Sequence, residues 1–214
     1  RTRRRPLPAG RIPAWHALAL GIVLNGAAFA ILLWLANLPA ALLTLAGALI
    51  YVFVYTIWLK RSTPQNIVIG GAAGAIPPLV GWAAVTGSLS WTAVSLFLVV
   101  LFWTPPHFWA LAQIMRKDYE SAHVPMLPVV AGDGQTRLQS VGYAVLTLAA
   151  SVVPFFTHTE SVVYLAGAIV LGLGLVAMCA LDLARGGWTR RVWGYSMIYL
   201  AGLFALLAVG SFTI

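Results

Sequence analysis

The chain has 214 residues, 61% of them hydrophobic and only 8% charged. Soluble domains carry about 25% charged residues, and one water-soluble core could not absorb this much apolar side chain, so the implied solvent is a bilayer. The formal charge of +8 does not point to nucleic acid, because the basic residues sit in short loops between apolar runs, where they orient a membrane protein.

Seven runs have the roughly 20-residue length of a membrane helix: 15–36, 38–59, 66–86, 90–114, 139–157, 161–182 and 193–212. None contains Lys or Arg, and Asp182 closes the sixth. Asn37 alone separates the first two runs, and a turn at Gly87 and Ser88 separates the third from the fourth. Trp15, Trp34, Trp58, Trp91 and Trp193 lie near run ends, as interfacial aromatics do. The single cysteine, Cys179, is inside a run and reads as a small membrane-core residue; no disulfide within the chain is available to it.

All 13 Lys and Arg fall in alternate loops: the N-terminal segment, the loop after the second run (Lys60, Arg61), the loop after the fourth (Arg116, Lys117, Arg137) and the loop after the sixth (Arg185, Arg190, Arg191). The positive-inside rule then puts residue 1 and these loops in the cytoplasm and the C-terminus outside. The chain opens on Arg rather than Met, and its Arg-rich start reads as a loop within a longer protein.

Several features carry chemistry. In the third run Gly70 and Gly74 form a small-residue face suited to close helix packing, followed by Pro77-Pro78. In the fourth, Pro105-Pro106 precede His107. Prolines remove helix donors, and the carbonyls they free need protein or water partners, so two double-proline breaks in adjacent spans predict a shared cavity. His107 lies roughly 10 Å deep by helical rise and is the only Asp, Glu, Lys, Arg or His deep within a run, a functional candidate by default; its structural alternative is a neutral imidazole satisfied by a carbonyl. The 115–138 loop is the longest, and long loops in compact domains are often functional. In it Asp118 and Glu120 offer carboxylate oxygens to Mg²⁺, which binds few protein groups and leaves room for water and phosphate. Arg116 and Lys117 beside them suit phosphate, although a plain solvated loop has the same composition. Asp133 and Arg137 read as an ordinary loop and helix-entry pair. Tyr55, Lys60 and Arg61 belong to the same face. The residues alone leave a transferase and a transporter both open.

The segment Tyr55-Thr56-Ile57-Trp58-Leu59-Lys60-Arg61-Ser62-Thr63-Pro64-Gln65-Asn66 resembles the heme-directed branch of the UbiA superfamily of intramembrane prenyltransferases, the protoheme IX farnesyltransferases. So do the stretches 70–87, Trp103-Thr104-Pro105-Pro106-His107-Phe108-Trp109-Ala110, Asp118-Tyr119 through Pro128-Val129-Val130, and the opening Arg1-Thr2-Arg3-Arg4-Arg5-Pro6-Leu7-Pro8. The resemblance spans essentially the whole chain and is strongest over 1–137.

That resemblance implies an all-α polytopic membrane protein whose seven spans are the last seven of a nine-helix UbiA-type bundle, with two further spans before residue 1. It implies transfer of a farnesyl group from farnesyl diphosphate to a vinyl group of heme b, giving heme O and diphosphate. Mg²⁺ is the expected cofactor, the bilayer the setting, heme A synthase a downstream partner, and a bacterial inner membrane, more than a mitochondrial one, the location. Asp118 would be the acid of the second metal motif, with Glu120 as a weaker ligand. Lys60, Arg61, Arg116, Lys117, Arg1 and Arg5 would grip diphosphate, with Asp118, Lys60 and Tyr55 as catalytic residues. Tyr55, Trp103, Phe108 and Trp109 would offer π faces to an allylic cation, and His107 would meet heme through its iron or its propionates. Two departures stand out: the family's first acidic motif does not occur in this chain, and Ala122 stands four residues after Asp118 where many members have a second aspartate. The alternatives are prenylation of another acceptor, such as an aromatic acid or a chlorin, and a transporter or non-catalytic membrane subunit. A transporter more often shows inverted repeats and acids within its spans.

Overall fold

A computed structural model describes residues 5–210. The described residues form helices α1 (Ala14–Leu35), α2 (Leu38–Leu49), α3 (Asn66–Thr86), α4 (Trp91–Ile114), α5 (Arg116–Ser121), α6 (Leu127–Val130), α7 (Gly132–Phe156), α8 (Val162–Arg185) and α9 (Thr189–Gly210), and no strand. The short α5 and α6 lie in the long loop between α4 and α7. The other seven are long and apolar enough to cross a membrane, one for each apolar run. Two begin earlier than hydropathy places them. α7 starts at Gly132 because a polar first turn, closed by the Thr136 hydroxyl on the Gly132 carbonyl (2.7 Å), extends the helix past its apolar part. α9 starts at Thr189 with Arg190 and Arg191 in its first turn.

Helix α2 does not end at Leu49. It continues as a π-helix over Ile50–Trp58 and closes with a 3₁₀ turn at Leu59–Arg61. Five of the nine π-helical residues are β-branched (Ile50, Val52, Val54, Thr56, Ile57), and the Thr56 hydroxyl donates to the Tyr51 carbonyl five residues back, at 2.8 Å.

The bundle is organised around α4, which packs on α3, α7 and α9; α7 packs on α8, α8 on α9, α2 on α3 and α1 on α2. Small and hydroxyl side chains allow the close approaches. Thr136, Ser140, Thr147 and Ser151 of α7 are buried, and each hydroxyl bonds a carbonyl of its own helix, so no donor is lost in the apolar interior. Helix α1 has no buried residue, and most of its large apolar side chains are exposed, as suits a lipid-facing span. At the end of the bundle away from the basic loops, the Asn37 amide caps α2 and donates to the Ala83 and Ala84 carbonyls of α3 (2.7 and 3.2 Å). At the other end, buried Asp182 accepts from the Trp188 amide (2.8 Å) and the Thr189 hydroxyl (3.0 Å) and pairs with Arg137 of α7 at 3.3 Å. This clamp ties together α7, α8 and α9.

Asp133 and Arg137, read as an ordinary loop and helix-entry pair, are not bonded to each other. Both lie on α7, but Arg137 turns to Asp182 while Asp133 pairs with Arg116 (3.3 Å). A buried carboxylate on the neighbouring helix outcompetes a half-exposed one on the same helix, because its charge would otherwise be left unpaired in an apolar surround.

Candidate active site at the basic end of the bundle

The π-helical turn sets the first part of the site. Its i→i+5 hydrogen bonding brings residues five apart onto one face, so Lys60 comes back over Tyr55 with its ammonium 6.0 Å from the ring centroid. That is within reach of a cation–π attraction. Tyr51 stands 5.5 Å from Tyr55 on the same segment.

The Tyr55 ring rests on Gly70 of α3, where a Cβ would run into ring atoms. Of the Gly70 and Gly74 face expected for close helix packing, Gly70 does pack closely, against the π-helical continuation of α2, and Gly74 does not. Gly70 seats an aromatic ring, and a Cβ on Gly74 would meet nothing within 4 Å, because Gly74 borders open space. That space is a cleft of about 330 Å³ lined by Tyr51, Tyr55, Gly70, Gly74, Trp103 and Phe108, among others. Of the four aromatics expected to face a cation, Tyr55, Trp103 and Phe108 line the cleft. Trp109 does not: it is 0% exposed and meets the Tyr143 ring edge-on at 5.5 Å. The shared cavity expected from the prolines is half realised. Residues on either side of Pro105-Pro106 line the cleft, whereas α3 contributes glycines ahead of Pro77-Pro78.

A second recess, about 380 Å³, opens where α4 passes into α5 and is lined by Gln113, Ile114, Met115, Arg116, Lys117 and Asp118. One apolar cluster lies at this end of the bundle: Ile67 of α3, Ala112 of α4 and Met126 are buried together, with Tyr55 of the cleft and Tyr119, next to Asp118, packed against them. The segments that carry Lys60 and Asp118, far apart in sequence, thus reach a common cluster through Tyr55 and Tyr119.

The basic residues differ in their engagement. The Arg116 guanidinium donates to Glu120 at 2.8 Å and to Asp133 at 3.3 Å. Lys117 and Arg61 are exposed. Arg5 is exposed and its carbonyl closes a turn with the Ala9 amide, while Arg1 lies outside the described residues. Glu120 is half-exposed, pairs with Arg116 and does not line the recess, whereas Asp118 does. Asp118 fits Mg²⁺ better, since this ion is commonly bound through one or two carboxylates with water and substrate phosphate completing its shell. Among the described residues no three His, Cys, Asp or Glu cluster to form an all-protein metal site.

His107 sits beside the cleft. Its ring stacks on Trp103 (4.4 Å, 19°) and meets Phe108 edge-on (5.2 Å), and both of these line the cleft. Nδ1 lies 2.8 Å from the Ser196 hydroxyl of α9, and the Trp103 indole donates to the Ser196 carbonyl at 2.7 Å.

Three members of this arrangement escape a reading of the sequence. Gln113, a lone amide near the end of α4, lines the recess with its carbonyl oxygen buried and unpaired among the described residues. Tyr119 packs on the same buried cluster as Tyr55, and Ser196 partners His107 from 89 residues away. Gln113 stands out as a polar residue at a span end, but Ser196 gives no signal before the fold is known.

A polytopic helical bundle whose basic, carboxylate-bearing mouth opens beside an aromatic cleft has the makings of an intramembrane transferase of prenyl groups. The sequence model of the UbiA prenyltransferase family matches residues 1–186. Relatives named protoheme IX farnesyltransferase include one from a Roseiflexus species, 59% identical across 98% of this chain and 40% of its own length. Those of Symbiobacterium thermophilum (52% identical, 95% of this chain, 70% of the relative) and Gloeobacter violaceus (50%, 99% and 70%) are similar. The chain belongs to the UbiA prenyltransferase family. It spans about two-fifths of the length of the two Roseiflexus relatives. A solved structure from a study of digeranylgeranylglyceryl phosphate synthase in membranes shares the fold, with a TM-score of 0.82 at 20% identity over 100% of this chain and 77% of that one.

Proposed function

We propose that this chain forms most of the active site of an enzyme that transfers a farnesyl group from farnesyl diphosphate to a vinyl group of heme b, producing heme O. The observation that carries the proposal is the packing of Tyr119, next to Asp118 of the recess, and of Tyr55 of the aromatic cleft against one buried cluster at the basic end of the bundle, supported by relatives bearing that activity in their names.

In this reading the diphosphate lies at the recess and the farnesyl chain runs into the cleft. Asp118 would hold Mg²⁺, which when bound neutralises charge on the departing diphosphate. Lys117 and Lys60 add fixed positive charge on the same face, where it acts most as negative charge develops. Arg116 contributes more by holding Glu120 and Asp133 in place than by meeting phosphate. The C–O bond breaks with its electron pair leaving on diphosphate, and the vinyl π electrons form the new C–C bond. Water adds to the resulting cation and gives up a proton. Tyr55, Trp103 and Phe108 present π faces to the cationic stage and keep bulk water away. The active face is cytoplasmic in a bacterial inner membrane, and heme A synthase would take the product.

The test is to supply the full-length protein in lipid with heme b, farnesyl diphosphate and Mg²⁺ and to look for heme O by chromatography and mass spectrometry. Heme O formation supports the proposal. Prenylation of an aromatic acid or a chlorin with heme b untouched, or no transfer at all, overturns it.

A further inference from the structure

The hydrogen bonds around His107 fix more than its position. Ser196 has a single hydroxyl proton, and its Oγ lies 2.6 Å from the Trp193 carbonyl, an acceptor with nothing to give in return. The proton of Ser196 is therefore committed to Trp193. The 2.8 Å contact between Ser196 Oγ and His107 Nδ1 is then a hydrogen bond only if Nδ1 carries the proton and donates it. A neutral imidazole has one N–H, so Nε2 is left with its lone pair.

The surroundings lock this arrangement. Ser196 is 0% exposed, its carbonyl is held by the Trp103 indole at 2.7 Å, and the His107 ring is stacked on Trp103. His107 cannot turn its ring over without breaking the stack or the Ser196 bond. An N–H that would suit a carboxylate is thus already used inside the protein, and what His107 keeps is a lone pair suited to a metal centre.

We infer that Ser196 is a positioning residue that holds His107 as a neutral Nε2 donor, so that the acceptor substrate meets this histidine through its iron and not through a propionate. The inference rests on the heme reading given above. Metal-bound histidines almost always donate their other ring N–H to a fixed partner, and loss of such a partner typically weakens metal binding by about 10- to 100-fold.

The experiment uses the full-length protein in lipid nanodiscs with ¹⁵N-histidine, as wild type, Ser196→Ala, Ser196→Thr and His107→Ala. Without heme, ¹⁵N spectra of the wild type and Ser196→Thr should show His107 protonated at Nδ1 and bare at Nε2, and Ser196→Ala should lose that preference. With ferric heme b added, the wild type should give a histidine-ligated absorption spectrum that His107→Ala lacks. Ser196→Ala should bind heme about 10- to 100-fold more weakly, with Ser196→Thr close to wild type. A wild-type His107 protonated at Nε2, or a Ser196→Ala variant with unchanged tautomer and heme affinity, overturns the inference while leaving the heme reading intact. Failure of the wild type to bind heme b removes the heme reading itself.

Discussion

Substituting Gly70 with alanine isolates the seat of Tyr55. The added Cβ would overlap the ring, with Cγ at 2.8 Å and Cε2 at 3.0 Å. Ordinary carbon–carbon contact lies at about 3.5–4.0 Å, so the ring must withdraw by about 1 Å. Overpacking of this kind costs about 1–3 kcal/mol, and a misplacement near 1 Å at a reacting site can lower the rate by about 100-fold. Gly74→Ala is the matched control, because its Cβ enters open space and gains up to about 1 kcal/mol of helix propensity. The assay pairs thermal unfolding of the full-length protein with farnesyl transfer. Gly70→Ala should be destabilised by about 1–3 kcal/mol with kcat/KM down roughly 10- to 100-fold, whereas Gly74→Ala should unfold no earlier than wild type. In a Tyr55→Ala background the stability cost of Gly70→Ala should vanish. An equal cost with and without the Tyr55 ring would refute the seating of Tyr55 on Gly70.

Three further outcomes follow from the geometry. Deleting Ile57 removes one residue from the π-helical turn, swings Lys60 off the Tyr55 face, and should raise KM for farnesyl diphosphate with little change in the melting temperature. Replacing Asp182 with alanine leaves Arg137 without its partner and two donors unsatisfied; a broken buried pair costs about 3–5 kcal/mol, to be read by denaturant unfolding. Glu160, in the turn between α7 and α8, has its carboxyl pushed above the usual range by burial. A raised acid binds more protons in the folded state, so its contribution is fullest below the unfolded pKa and is lost as pH rises through the folded one. Glu160→Gln should therefore flatten the fall in melting temperature between mildly acid and neutral pH.

The spans were legible in the sequence because apolar length alone decides them. Tyr55, Lys60 and Asp118 were legible as motifs, and the cleft aromatics Trp103 and Phe108 as neighbours of a proline break. What was hidden is relational. Gly70 reads as a packing residue, but not as the seat of the Tyr55 ring that the π-helix turns onto it. Asp133 and Arg137 read as ordinary loop and helix-entry residues until α8 offers Asp182 to Arg137. Trp109 reads like Phe108, one residue away, because sequence does not tell which side of α4 faces the cleft. Ser196 is an unremarkable hydroxyl until α9 lies against α4.

The most direct measurement compares Asp118→Asn with Glu120→Gln in the full-length protein, scoring conversion of heme b to heme O with farnesyl diphosphate across a Mg²⁺ titration. If diphosphate leaves at the recess beside Asp118, Asp118→Asn should lose at least about 100-fold in kcat/KM, the scale of one electrostatic stabiliser. Glu120→Gln, already engaged by Arg116, should stay within several-fold of wild type with an unchanged Mg²⁺ requirement. Wild-type turnover by Asp118→Asn would contradict the account.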